Sequence, residues 1–169
     1  MSFAKDSKLE IIENDIDDAS SAQAFLAGLF HACGSISKNS DGFELDIVTD
    51  FKEIYPYINK LIVKFYGENL ELEIFDDYII NKTTYYRIKF PQEIAFRLLQ
   101  DIGIINQNGE IDIFAEVDEN LLPDDECKKY FVKGAYIGCA TSSIKLSTLG
   151  SQSPTTGYHF EFTSHNNQF

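Results

Sequence analysis

Ser21 to Gly34 reads SAQAFLAGLFHACG, and Cys127 to Ala140 reads CKKYFVKGAYIGCA. Both strings space their apolar residues as helices do, the first with Ser20 and Ser21 as candidate N-caps and Gly34 as its stop. Glycine inside a helix costs about 1 kcal/mol relative to alanine, so Gly28, Gly134 and Gly138 need a compensating reason. Gly28 and Ala32 lie four apart, as do Gly134 and Gly138, which gives each helix a stripe of small residues on one face. Close packing of the two stripes is the economical reading; separate packing of each against a sheet is the other. Sliding one string over the other puts Gly28 on Gly134 and Cys33 on Cys139 at a common offset of 106 positions, the mark of an internal duplication.

Outward from the first helix the hydrophobic period changes from 3.6 to 2. GSISK and FELDIVT, joined by NSDG, read as a hairpin that points Phe43, Leu45 and Ile47 one way and Glu44, Asp46 and Val48 the other. FKEIYPYINKLIVKFYG is an amphipathic helix. LELEIF (70–75) and TYYRIKF (84–90) are strands, and PQEIAFRLLQDIG is a helix opened by Pro91 and closed at Gly103. The chain therefore divides into a helical, acidic and solvated lead-in (1–20), a first repeat (21–103), a looser linker (104–126) and the start of a second repeat (127–169). The second repeat continues with the strands TSSIKLS and YHFEFT and stops where its next helix is due. It reads as incomplete.

The 169 residues carry 14 Lys and Arg against 27 Asp and Glu, a net charge of −13. A hydrophobic fraction of 44% with 14% aromatics is too rich in core formers for disorder, so a packed core is expected. The acidic surface repels polyanions, so nucleic-acid binding needs a local basic patch or a further segment. No run approaches the roughly 18 apolar residues of a membrane helix, and MSFAKDSKLE is amphipathic rather than a signal peptide. The chain reads as cytoplasmic, with no membrane partner. Cys33, Cys127 and Cys139 are odd in number and widely spaced, which fits reduced thiols rather than a disulfide framework. His31 and Cys33 are two apart on a helix and do not face one another, so no zinc site is expected. His159 and His165 read as strand-surface and cap residues. With no GxxxxGK[ST], HExxH or GxSxG motif, nucleotide hydrolysis and the common hydrolase chemistries have no support, and no cofactor is indicated.

Leu26-Ala27-Gly28-Leu29-Phe30-His31-Ala32-Cys33-Gly34 resembles the LAGLIDADG motif of homing endonucleases at Leu26, Ala27, Gly28, Leu29, Ala32 and Gly34. More narrowly, the chain resembles the N-terminal part of the WhiA family of bacterial sporulation and cell-division regulators. That likeness runs through the opening MSF with Lys8 and Glu10, the motif helix, FVKGAYIGCATS, and Pro154 to Glu161, which resembles that family's PxxxYHLE stretch. It implies an α+β LAGLIDADG-like fold of duplicated α-β-β-α-β-β-α units, with a central pair of Gly-rich helices over antiparallel sheets. It also implies a continuation into a C-terminal helix-turn-helix domain, absent here, that would carry most DNA affinity and nucleoid association.

In active members of the nuclease family the eighth motif position is acidic, and the pair holds divalent cations at the scissile phosphates. Here those positions are Cys33 and Cys139, which offer no hard carboxylate oxygen. The resemblance therefore implies a silent nuclease fold, not an enzyme. A paired-thiol redox couple is the alternative use of these cysteines, against plain burial. The strand face that such a saddle turns to DNA would show Glu44, Asp46, Glu71 and Glu73, with Leu70, Leu72 and Ile74 turned inward. Against these acids stand Tyr85, Arg87 and Lys89, then Lys38 and Lys145, a weak nucleic-acid patch or simply a solvated strand face. The expectation is a DNA-binding transcriptional regulator. The rival is a protein-interaction module whose acidic saddle docks a basic partner; an active endonuclease would need acids that the sequence lacks.

Overall fold

The computed structural model describes residues 3–40, 42–77, 83–106, 108–111 and 117–139. Helix α1 spans Phe3–Ile12 and α2 spans Ala19–Cys33, followed by strands β1 (Gly34–Asn39) and β2 (Gly42–Thr49). Helix α3 (Ile54–Tyr66) leads to β3 (Glu71–Asp77) and β4 (Thr83–Phe90). Helix α4 (Gln92–Asp101), a short 3-10 turn (Glu119–Leu121) and α5 (Asp125–Cys139) complete the described order. The strands of the second repeat and Lys145 lie outside the described residues.

The four strands form one antiparallel sheet in the order β1-β2-β4-β3. Strand alternation decides its two faces. Phe43, Leu45, Ile47 and Ile88 are buried on the face that the helices cover, and α4 lays Ile94, Ala95, Leu98 and Leu99 into the same core. Phe30 of α2 meets Phe90 of β4 with ring centroids 4.9 Å apart, and Phe25 meets Tyr57 of α3 edge-on at 5.5 Å. Helix α2 is buried on nearly every side, as a helix at the centre of a domain must be. Mixed α and antiparallel β layers around one such helix give the α+β class.

Three details depart from the sequence reading. Asp18, not Ser20 or Ser21, caps α2: its carboxylate accepts from the Ser21 N–H at 2.8 Å, so the helix begins at Ala19. The acidic lead-in is tied down, although its carboxylates stay exposed to solvent. Ile16 is buried, Lys60 bridges Asp15 at 2.6 Å, Lys64 bridges Asp17 at 3.1 Å and donates to the Ile16 carbonyl, and Tyr57 donates to the Asn14 carbonyl. One apolar anchor with acids on either side matches the basic edge of α3. Leu70 is buried as expected, but Leu72 and Ile74 are 36% and 64% exposed, because β3 is an edge strand and the helix layer covers only its start.

Candidate functional site

Helices α2 and α5 are packed along their lengths in parallel. A Cβ on Gly28 would overlap the Phe131 carbonyl oxygen and sit 2.9 Å from Ala135 N; one on Gly134 would overlap the Phe25 carbonyl oxygen and sit 2.9 Å from Leu29 N. Gly138 lies next, where an added Cβ would meet Ala32 Cβ at 2.6 Å and Cys33 Sγ at 3.1 Å. The structure thus brings Gly28, Ala32, Gly134 and Gly138 into one seam. Because the helices run the same way, their C-terminal residues, Cys33 and Cys139, come to the same end.

Both thiols are free. Burial pushes Cys33 up to about 12, and burial raises Cys139 as well, so each is a neutral S–H at physiological pH. Cys33 donates to the Leu29 carbonyl of its own helix at 3.4 Å. His31 points elsewhere, its ring centroid 6.1 Å from that of Phe131, and burial lowers its pKa.

The N-terminal helix adds a residue that the sequence reading passed over. Lys8 is 4% exposed, its ammonium 5.4 Å from the centroid of the Phe51 ring. It lies within electrostatic reach of Asp50, Cys33 and Cys139; burial lowers its pKa, and those three oppose the shift in that order. A signal was available, since Ala4, Lys8, Ile11 and Ile12 share one side of α1 and make Lys8 the lone cation in an apolar stripe.

These donors do not suit the divalent cation that the LAGLIDADG resemblance implies. A hard cation requires oxygen ligands, preferably charged ones. Cys33 and Cys139 present two protonated thiols instead. Among the described residues, no three His, Cys, Asp or Glu side chains converge in a set that could hold a metal ion.

The uncovered sheet face is the second candidate. Tyr85, Arg87 and Lys89 alternate along β4 and share this face. Asp46 and Glu71 stand opposite Lys89 on either side, while Val48 and Glu73 flank Arg87. Lys89 forms a short ion pair with Glu73, and Arg87 reaches Glu73 at 3.6 Å and Asp46 at 3.9 Å. The Lys89 hydrogen bond holds the Glu73 carboxyl below the usual range and in turn raises the lysine. The cations of this face therefore already have carboxylate partners. Lys38 is in register with Phe43. At the β4–α4 junction a groove of about 380 Å³ is lined by Glu44, Asp46, Glu71 and Glu93, with Lys89 the cation among its lining residues.

Comparison with known proteins places these features in context. Residues 19–105 match the family described as the WhiA N-terminal LAGLIDADG-like domain. A "Probable cell division protein WhiA" from a Thermoanaerobacter species is 30% identical over 169 residues, covering 98% of this chain and 50% of the relative. The protein of the same description from Clostridium acetobutylicum is 25% identical over 172 residues, covering 100% of this chain and 51% of the relative. The chain thus spans about half the length of the curated relatives it matches. Among solved structures, a crystal structure of I-DmoI in complex with its target DNA overlaps 72% of this chain and 63% of its own at 14% identity, with a TM-score of 0.41.

Proposed function

The chain belongs to the family of WhiA N-terminal LAGLIDADG-like domains, and from that membership we propose that it is the catalytically silent, nuclease-like part of a bacterial DNA-binding transcriptional regulator of cell division or sporulation. The observation that carries the silence is the chemistry at the end of the glycine seam. Two neutral thiols stand where a phosphodiesterase needs carboxylates, and among the described residues no three His, Cys, Asp or Glu side chains could gather metal charge around attacking and leaving oxygens.

On this reading the domain contributes little DNA affinity of its own. Arg87 and Lys89 are engaged by Asp46 and Glu73, so each phosphate contact must displace an internal ion pair. Most affinity then resides in a helix-turn-helix elsewhere in the full-length protein, which this domain positions in the bacterial cytoplasm at the nucleoid. No helix among the described residues is long and apolar enough to cross a membrane.

A second reading rests on the groove at the β4–α4 junction. Its four carboxylates around one lysine favour a basic protein segment over a phosphate backbone, so this face serves as a docking surface. Recovery of a basic protein partner that Glu44→Gln with Glu71→Gln abolishes, while duplex DNA is not retained, would favour it.

Silence is tested by incubating the chain with supercoiled plasmid and magnesium or manganese. Intact DNA is the expected result. Reproducible nicking that Cys33→Ala or Cys139→Ala removes would overturn the reading.

A further inference from the structure

Strand β3 forms one side of the sheet. Among the described residues it pairs with β4 alone, so the N–H and C=O groups that point away from β4 have no described strand beside them. Alternation gives this edge two different faces. On the open face stand Glu71 and Glu73, in register with Lys89 and Arg87 of β4. On the other stand Leu72 and Ile74, which the helix layer leaves 36% and 64% exposed. A free edge bordered by bare apolar side chains is a template for another strand, and folded proteins ordinarily blunt it. Here the blunting is selective. Glu71, Glu73, Asp76 and Asp77 fall within the seven residues of β3, so a second copy laid alongside would set like charges together. A strand of opposite charge meets no such barrier.

We propose that the free edge of β3 receives an extended segment of a partner protein in which basic and apolar residues alternate, so that the partner adds one more strand to the sheet. Main-chain hydrogen bonds to the edge supply affinity, and the alternation supplies selectivity. The basic residues of the segment fall on the open face beside Glu71 and Glu73, and its apolar residues fall on the other face beside Leu72 and Ile74. Charge complementarity decides the occupant. The open face offers Glu44, Asp46, Glu71 and Glu73 against Arg87 and Lys89, and both of these cations already reach carboxylates. A basic strand is drawn to such a surface and a phosphate backbone is repelled. Glu71 also lines the groove at the β4–α4 junction, so the added strand extends the surface of that groove. The inference deepens the docking reading of this face and rests on it; what it adds is the mode of pairing and the residue pattern of the partner.

The probe is a fluorescein-labelled peptide of about eight residues, the length of a strand, that alternates lysine with valine. Its control has the same composition with the lysines in one block and the valines in another. Titrated into the 169-residue chain and followed by anisotropy, the alternating peptide should bind at least about tenfold more tightly than the control. Ile74→Lys sets a like charge on the exposed apolar row, so it should weaken binding by about tenfold and leave the melting temperature unchanged, since Ile74 is largely exposed. Amide hydrogen exchange gives the second readout: the bound peptide should slow exchange along Glu71 to Asp77. Equal affinity for the two peptides, no effect of Ile74→Lys, or no binding of either peptide would overturn the proposal. So would binding that Glu44→Gln with Glu71→Gln abolishes but that leaves exchange of β3 unchanged. That last result removes strand addition and keeps side-chain docking in the groove, so the two readings fail separately.

Discussion

The carbonyl oxygen of Phe131 fills the space into which a side chain at Gly28 would project, and the Phe25 carbonyl oxygen does the same at Gly134. Each helix presents bare backbone to the backbone of its neighbour. That reciprocity sets the distance between α2 and α5, and so fixes how closely Cys33 and Cys139 approach at the far end. The helical cost of glycine is offset by dispersion contacts that only so close an approach permits.

Gly134→Leu should therefore destabilise the domain by about 3 kcal/mol, since backbone atoms cannot rotate away as a side chain would. Val132→Ala, two positions away and 56% exposed, should change stability by less than about 0.5 kcal/mol. Urea unfolding of both variants checks the pair. An unchanged midpoint for Gly134→Leu would show that the seam is looser than described.

Alkaline pH should weaken the fold. Cys33 is pushed from 9.0 to about 12 by burial, and Cys139, Tyr57 and Tyr66 are also raised, with burial the leading cause for each. A raised folded-state pKa contributes stability that is intact below the unfolded value and is lost as pH climbs towards the folded one. For Cys33 the window is pH 9 to 12, with a slope of about 1.4 kcal/mol per pH unit from that group. Lys8 acts in the opposite sense because its pKa is lowered. Cys33→Ala should flatten the decline in this window, as read from melting temperature against pH. An equally steep decline would assign the effect to other groups.

Glu73→Gln should release Lys89 and loosen Arg87, so it should strengthen binding to duplex DNA by roughly threefold or more at low salt. Arg87→Ala with Lys89→Ala should abolish the residual binding equally on unrelated sequences, as phosphate contacts require. Fluorescence anisotropy reads both. A Glu73→Gln chain that binds no better than its parent would remove this face from the DNA account.

Removing the α2 cap by Asp18→Ala should cost about 1 kcal/mol in urea unfolding at neutral pH. The Ser21 N–H holds the Asp18 carboxyl below its usual range. A lowered pKa contributes stability that is present above the unfolded value, 3.8, and is lost as pH falls towards the folded one. The gap between parent and variant should therefore narrow in acid. A constant gap would locate the loss outside the hydrogen bond.

The elements with strong periodicity were legible in the sequence: Phe43, Leu45 and Ile47 declare the buried face of β2, and Gly103 the end of α4. The class followed from them and from the motif at Leu26 to Gly34. What the sequence did not disclose depends on partners distant along the chain. Lys8 is an ordinary helix former until the fold buries it over the Phe51 ring. Alternation alone sends Leu72 and Ile74 inward, but exposure depends on how far the helix layer reaches across the sheet. Likewise Arg87 and Lys89 read as a basic patch until the strand register sets Glu73 and Asp46 beside them.

As proposed, this domain is part of a DNA-binding regulator without supplying its affinity. The decisive measurement is a fluorescence anisotropy titration of the 169-residue chain against duplex DNA, beside a longer WhiA-type chain that carries a helix-turn-helix, at low and physiological salt. Weak binding by the domain is expected, with a shallow salt slope and no sequence preference, and tight, selective binding by the longer chain. Sub-micromolar, sequence-selective binding by the domain alone at physiological salt would contradict it.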